Sequence, residues 1–447
     1  EKQLEKRKLS DQISLLLSSF GIISVFVIFQ KLTGSKDKKG QKTLVKEWGD
    51  SIVFALIAAS LIRGYVLEAF TIPTPSMEKE MLVGDFLFVN KLAYGTRVPL
   101  TPLSYPLVHN TIPWTYANSY SEAIKLPYYR LPGFGKVKRN DIVVFNYPTG
   151  DTTVFGRLPG SAGAGGEIQG HNYYEYVRNN AYKIAKDQRL TDQQFIKNRK
   201  RFEGIARNRI LDQGRIFVRN PNGYGMIEIE TGGYAHRPID RKENYVKRCV
   251  AVPGDTLELV DGQLYIDGKE SNVGENVNQL YYLEFNSLLK AVNFTALKEN
   301  YGFNLGQYSD VHFQRDVNGD AGSLSGFINM SPMIKKQVLN DFNTGKYGMF
   351  RIDSISKRIN KKSLNLRLRI DSYISFYPNS TEADFNWTSD NYGPVWMPKE
   401  GSTIELSKKN WIIYKRCIKD YEGNEVQEIG NEIIINGKKS TTYTFKQ

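Results

Sequence analysis

The side chain best placed to do chemistry is Ser76, in the stretch Ile72-Pro73-Thr74-Pro75-Ser76-Met77 directly behind an apolar run from Ile52 to Phe70. The two prolines fix φ and hold the residues before them extended, so the serine sits on a stiff, non-helical segment. A serine hydroxyl is a poor nucleophile at neutral pH and needs a base. The histidines His109, His171, His236 and His312 stand in no catalytic context and at no ligand spacing. A lysine serves instead where burial disfavours its charged form. Lys247 is the best candidate, within Tyr245-Val246-Lys247-Arg248-Cys249-Val250-Ala251-Val252, an apolar run closed by Pro253-Gly254-Asp255. Lys415 has a similar context without that turn, and either lysine could equally be a plain edge-strand residue. Composition does not choose between them.

The elements that must position this pair begin at a membrane. Ile13 to Phe29 is an uncharged apolar run at the short end of what spans a bilayer. The second run, Ile52 to Phe70, is interrupted by Arg63 and Glu68, and reads either as a span with Arg63 snorkelling or as an interfacial helix. The lysine-rich loop between the runs is expected to be cytoplasmic, with everything after Phe70 on the far side. Lys2, Lys6, Arg7 and Lys8 weaken that asymmetry.

From Leu82 the pattern turns to strands: Phe86 to Val89 and Ile142 to Phe145 follow turn pairs, and Leu257 to Ile266 alternates around Asp261-Gly262 as a hairpin. A Gly/Ala/Ser linker at Pro159 to Gly166 opens a helical insertion, with Thr191 and Gln194 as a capping box. Lys247-Arg248-Cys249-Val250 echoes in Lys415-Arg416-Cys417-Ile418. Ile266-Asp267-Gly268-Lys269 echoes in Ile435-Asn436-Gly437-Lys438 at the same spacing to within one residue. The echo predicts a repeated strand-hairpin unit.

The 447 residues are enough for two or three domains. A net charge of +13 fits nucleic acid or anionic lipid. The absence of aromatic-basic, zinc-spaced or helix-turn-helix patterns argues against nucleic acid. Two cysteines, Cys249 and Cys417, exclude a disulfide scaffold and a cysteine metal cluster, and leave open one bridge or two thiols. No metal and no cofactor are expected.

Thr71 to Met77 followed by Leu82, Gly84-Asp85, Val89 and Lys91 resembles the nucleophile box of type I signal peptidases. Tyr94-Gly95-Thr96-Arg97-Val98-Pro99, Asn140 to Phe145, and Tyr245 to Arg248 with Pro253-Gly254-Asp255 resemble the following family blocks, in order. The blocks cover about a quarter of the chain, and its long insertions resemble the enlarged enzymes of Bacteroides-like bacteria.

The resemblance implies a mainly β catalytic core with one or two N-terminal transmembrane helices and α+β insertions. The expected organisation is an anchor at 1–69 and core segments at 70–157, 240–275 and 386–447, the last incomplete, with insertions at 158–239 and 276–385. It implies that Ser76 attacks the carbonyl after a small residue of a signal peptide and that neutral Lys247 takes its proton. The Ser76 N–H and Thr74 hydroxyl would stabilise the oxyanion, and Phe70, Ile72 and Val246 would line the substrate pockets. The partners implied are preproteins, the lipid bilayer and the protein-export machinery, at a bacterial inner membrane with the catalytic domain periplasmic.

Two departures stand against this pattern. Pro75 precedes the serine where a small residue is usual. The terminal family box, Gly-Asp-Asn-Arg then Ser-x-Asp-Ser-Arg, is absent; Ser389-Asp390-Asn391-Tyr392-Gly393 lacks its arginines. Truncation is the expected cause, since both ends look cut, and a chain without that box is expected to be inactive or crippled. A catalytically silent membrane-tethered binding protein on the same scaffold is the alternative. A soluble self-cleaving repressor-type protein is disfavoured by the first span.

Overall fold

A computed structural model describes residues 44–105, 108, 112, 118–148, 152–156, 169–219, 226–271, 274, 277–285, 294–303, 311–315, 324–343, 350–354, 373–382, 385–430 and 432–446. The expected Ile13 to Phe29 span, most of the lysine-rich loop and the Pro159 to Gly166 linker lie outside the described residues. The chain divides into two compact units. The first gathers the described residues of Glu1–Val137, Ile142–Thr153 and Ala235–Lys247; the second gathers those of Lys138–Asp141, Val154–Tyr234 and Arg248–Gln447.

In the first unit, helix α1 (Leu44–Leu61) runs into a π-type turn at Ile62–Val66. Trp48–Val66 is long and apolar enough to cross a membrane, and none of it is buried. The apolar run expected to reach Phe70 therefore stops as a helix at Val66. Its last carbonyls find partners outside the helix: Lys91 Nζ donates to Gly64 O at 3.3 Å, the Thr96 hydroxyl to Tyr65 O, and Lys91 N to Val66 O at 2.9 Å.

The chain continues as strand β1 (Leu67–Thr71), antiparallel to β2 (Phe86–Asn90), with Leu67 opposite Asn90 and Thr71 opposite Phe86. Period-two alternation half-buries Glu68 and Phe70 and exposes Leu67, Ala69 and Thr71. Strand β3 (Ile142–Asn146) pairs with the lysine strand, Asn244–Arg248, and Tyr147 N donates to Glu243 O just beyond it. Tyr147 stacks on Tyr245 with ring centroids 4.4 Å apart. Before the lysine strand, Asp240 Oδ2 accepts from the N–H and hydroxyl of Thr101, and Arg241 donates to Thr101 Oγ1 and O.

The second unit holds the helical insertion as a core of its own. Helix α2 (Tyr173–Asp187) packs on α3 (Asp192–Asp212), which begins at the expected capping box: Thr191 Oγ1 accepts from Gln194 N, and Gln194 Oε1 accepts from Thr191 N. Phe195, Phe202, Ala206, Ile210 and Ile216 are buried between them, joined by Tyr373 from the far end of the second insertion. A second core gathers Trp411, Tyr414, Ile418, Tyr443 and Phe445. The described elements are mixed α/β rather than mainly β, because the insertions carry most of the helix.

The expected hairpin is present, with Val260 opposite Gln263 across Asp261-Gly262. The internal echo is half structural. Asp267-Gly268 and Asn436-Gly437 both turn with positive φ, pairing Ile266 with Lys269 and Ile435 with Lys438. Each turn also ties back to its preceding strand through the same two bonds. Asp267 N donates to Thr256 O while Asp267 Oδ1 accepts from Thr256 N; Asn436 N donates to Glu425 O while Asn436 Oδ1 accepts from Glu425 N. The lysine halves of the echo diverge. Lys247 is on a strand, whereas Lys415 is on a helix (Lys408–Arg416) capped by Ser407, which corrects the expectation of two matching strand-hairpin units. Cys249 and Cys417 are free thiols, so the bridge left open does not form.

Candidate active site

Ser76 is placed by a pinched loop. Past β1, Ile72 N donates to Asp85 O and Gly84 N to Ile72 O, both at 2.9 Å, closing the base of the segment between them. Within it Thr74 is extended (φ −139°, ψ 152°), and Pro75–Met77 form one 3-10 turn. Buried Met77 pins this turn to the body of the unit, while Ser76 stays exposed. Pro75, which departs from the family pattern, occupies the first position of the turn, where a missing N–H costs nothing and a fixed φ near −65° is already correct. The departure is thus accommodated locally.

Lys247 reaches Ser76 from the lysine strand. Its Nζ lies 2.6 Å from Ser76 Oγ, donates to Val246 O at 2.9 Å, and sits 5.7 Å from the Tyr245 ring centroid. Among the described residues no carboxylate is paired with it, and burial pulls the amine below its ordinary pKa by penalising the charged form. The same short contact serves both protonation states. A charged amine donates to the serine oxygen; a neutral one accepts the serine proton and sharpens the hydroxyl as a nucleophile. Lys415, the rival, is ion-paired with Glu428 in the second unit, and it is Lys247 that meets Ser76.

The expected pocket residues separate. Phe70 and Val246 line a cleft of about 880 Å³ in the first unit, whereas Ile72 is buried, with 3% of its surface exposed, and does not line it. Thr74 is exposed at the entry of the serine turn, and its side chain makes no capping hydrogen bond. Among the described residues no group of histidine, cysteine, aspartate and glutamate could hold a metal.

Two charged clusters were not anticipated. Glu68 accepts from Arg63 at 2.9 Å and pairs with Lys91 at 2.8 Å, tying the end of the apolar helix to β1 and β2. Burial raises the Glu68 pKa, but Lys91 and then Arg63 outweigh it, leaving the carboxyl below its ordinary value. Arg63 and Glu68 were visible only as interruptions of an apolar run; a basic and an acidic residue flanking the end of a span was the available signal. Arg139 makes a two-pronged pair with Asp255, both contacts at 2.7 Å, and reaches Asp267 at 2.9 Å. Asp255 also accepts from Val252 N, so the Pro253-Gly254-Asp255 turn is tied shut by its own carboxylate. Arg139 precedes a turn pair and offers no local signal of a partner so distant in sequence.

An apolar helix long enough to cross a membrane, leading into paired strands, with a serine on a proline-bearing turn met by a lysine amine, defines a class: mixed α/β proteins carrying a serine–lysine pair. The chain belongs to the signal peptidase, peptidase S26 family, whose model matches residues 45–224 and 224–310. It is similar to signal peptidase I of Pseudomonas aeruginosa, 31% identical over 113 residues, which is 25% of this chain and 31% of that protein. Against signal peptidase I of Rickettsia rickettsii it is 40% identical over 262 residues, 58% of each chain. Against that of Aquifex aeolicus it is 49% identical over 45 residues, 10% of this chain and 18% of the relative. The chain thus aligns with less than two thirds of the length of these relatives. No solved structure matches it.

Proposed function

We propose that this protein is a membrane-anchored serine endopeptidase that removes N-terminal signal peptides from exported preproteins after a small, alanine-like residue. The observation that carries the reading is the 2.6 Å contact between Lys247 Nζ and Ser76 Oγ, with no competing carboxylate on the lysine among the described residues. Neutral Lys247 takes the hydroxyl proton as Ser76 Oγ attacks the scissile carbonyl carbon. The resulting ammonium returns the proton to the leaving amine, and an ester to Ser76 remains. Water, deprotonated by the same amine, then attacks that ester and releases the signal peptide with a free carboxylate.

The Ser76 N–H and Thr74 hydroxyl would receive the oxyanion. The first N–H groups of a helical turn have no partner within the turn, and Pro75 has none to offer, which supports Ser76 as the first available donor. Phe70 and Val246 would shape shallow apolar pockets for small side chains, a role that burial denies to Ile72. The apolar Trp48–Val66 helix supports anchoring in a bacterial inner membrane with the serine on the periplasmic side, where preproteins emerge from the export machinery.

The test is to incubate the detergent-solubilised protein with a preprotein and map the products by mass. Cleavage after a small residue is expected, and loss of all cleavage in Ser76→Ala. Cleavage retained by Ser76→Ala would refute the reading.

A further inference from the structure

The cleft of about 880 Å³ in the first unit is far larger than shallow pockets for small side chains require. One side is apolar and comes from the candidate membrane helix, with Val53, Leu56, Ile57 and Leu61 on a single face. The other end is cationic. Arg63 and Lys91 in its wall share the one Glu68 carboxylate as partner, and Arg241 is committed to Thr101 and the Tyr120 ring. Arg97 is different. Among the described residues its half-buried guanidinium makes no hydrogen bond and no ion-pair contact; burial works against its charge, the Asp240 carboxylate supports that charge without touching it, and an arginine cannot shed its proton.

Arg97 is also held in place by its neighbours. Thr96 and Val98 on either side are each 1% exposed, Leu131 N donates to Thr96 O, and Val98 N donates to Tyr129 O. Gly95 adopts φ +85°, and a Cβ there would meet Leu131 O at 2.0 Å, so only glycine permits this packing. Arg130, the bridge partner of Arg97, donates to Gly95 O at 2.6 Å and lines the same cleft. In the cleft wall near Arg97 lies Asp240, whose Oδ1 is buried without a hydrogen-bond partner while Oδ2 is held by Thr101. The cleft thus brings together a cation without a contact partner from the Tyr94 to Pro99 block, an acceptor without a donor on Asp240 and an apolar wall from the helix.

We propose that this cleft binds a membrane phospholipid, with the phosphodiester on Arg97, a headgroup hydroxyl or ammonium on Asp240 Oδ1, and acyl chain along the Val53–Leu61 face. Guanidinium is the side chain best matched to a phosphate, through paired charge-assisted hydrogen bonds. A buried polar atom without a partner is the complement of a donor. The apolar wall belongs to the segment suited to the bilayer, which favours a lipid over a soluble phosphate.

The cleft shares Phe70 and Val246 with the pockets proposed for substrate but is not lined by Ser76 or Lys247, so it is tested in the Ser76→Ala protein in detergent. Short-chain phosphatidylglycerol is titrated, and hydrogen exchange is followed at residues 94–99 and 239–241. Slower exchange there, and none in the solvent-facing part of α3, is the expected result; no protection, or equal protection by phosphatidylcholine, which lacks the headgroup donor, would overturn the site. Arg97→Gln should bind about 10- to 100-fold more weakly, the worth of a charged hydrogen bond. Lys200→Gln, an exposed cation on α3, should bind as before. Equal losses in both variants would mean bulk charge attraction and refute the proposal. Glycerophosphate binding as tightly as the lipid would overturn the lipid and leave a soluble phosphate site. Should Arg97→Gln fail to fold, the exchange measurement on the parent protein decides alone.

Discussion

Replacing Lys247 by arginine separates a base from a structural cation. The arginine keeps the positive charge, the reach toward Ser76 and the contact with the Tyr245 ring, but its guanidinium stays protonated at any working pH. If the lysine merely braces the strand edge, Lys247→Arg should keep most of the activity. If the amine takes the Ser76 proton across its 2.6 Å contact, the whole general-base contribution is lost. That contribution is about 10²- to 10⁴-fold, or about 3–5 kcal/mol of barrier at 1.36 kcal/mol per decade. Among the described residues no other hydrogen bond to Ser76 Oγ offers a substitute base. The assay is chromatographic turnover of a peptide with alanine at −1 and −3, in detergent, beside Lys247→Ala and Lys415→Ala. Both Lys247 variants should fall by the same factor. Lys415→Ala loses an exposed ion pair with Glu428 and a contact over the Trp411 ring, each worth about 1 kcal/mol of stability or less, and should stay within about twofold of the parent in activity. More than a tenth of the parental rate in Lys247→Arg would refute the reasoning.

Burial lowers the Lys247 pKa, so the neutral base accumulates at lower pH than for a solvent lysine. The acidic limb of the rate–pH profile should therefore rise with a midpoint below about 10.4; a midpoint at or above that value would contradict the assignment. The Asp255 carboxyl is held below its ordinary pKa, chiefly by Arg139 against an opposing effect of burial. Its folded pKa lies below its unfolded one, so its stabilisation is complete above about pH 4 and is lost as pH falls through the folded value. Melting curves from pH 6 to 2 should show that loss, and Asp255→Asn should flatten it. Phe202, 1% exposed in the helical core, should cost about 3–5 kcal/mol as alanine in denaturant unfolding; a cost under about 1 kcal/mol would mean that the core collapses around the gap.

Local signals were legible where one short segment settles its own geometry. The capping box at Thr191 and Gln194 needs only residues three apart, and it forms as written. The Asp261-Gly262 and Asp267-Gly268 turns need only residues that tolerate positive φ, and both form. The Ser76 segment, expected to be non-helical, instead forms a 3-10 turn over Pro75–Met77, because a proline fits the first position of such a turn. The end of the apolar helix was misplaced because hydropathy does not distinguish helix from strand over Leu67 to Phe70. The pairing with β2 and the partners for the last helical carbonyls decide that boundary.

The fate of the echoed lysines illustrates the same divide. Their neighbouring residues match, yet Lys247 pairs into a sheet with Ile142–Asn146 while Lys415 sits on a Ser407-capped helix. From the sequence alone came the candidate nucleophile, the short list of possible bases and the apolar helix behind them, because each depends on residue type and nearest neighbours. Only the tertiary structure decided which lysine is the partner, which aspartate closes its turn and which arginine is left unmet. Those outcomes depend on distances between residues far apart in the chain, such as the 171 positions between Ser76 and Lys247, which no local propensity encodes.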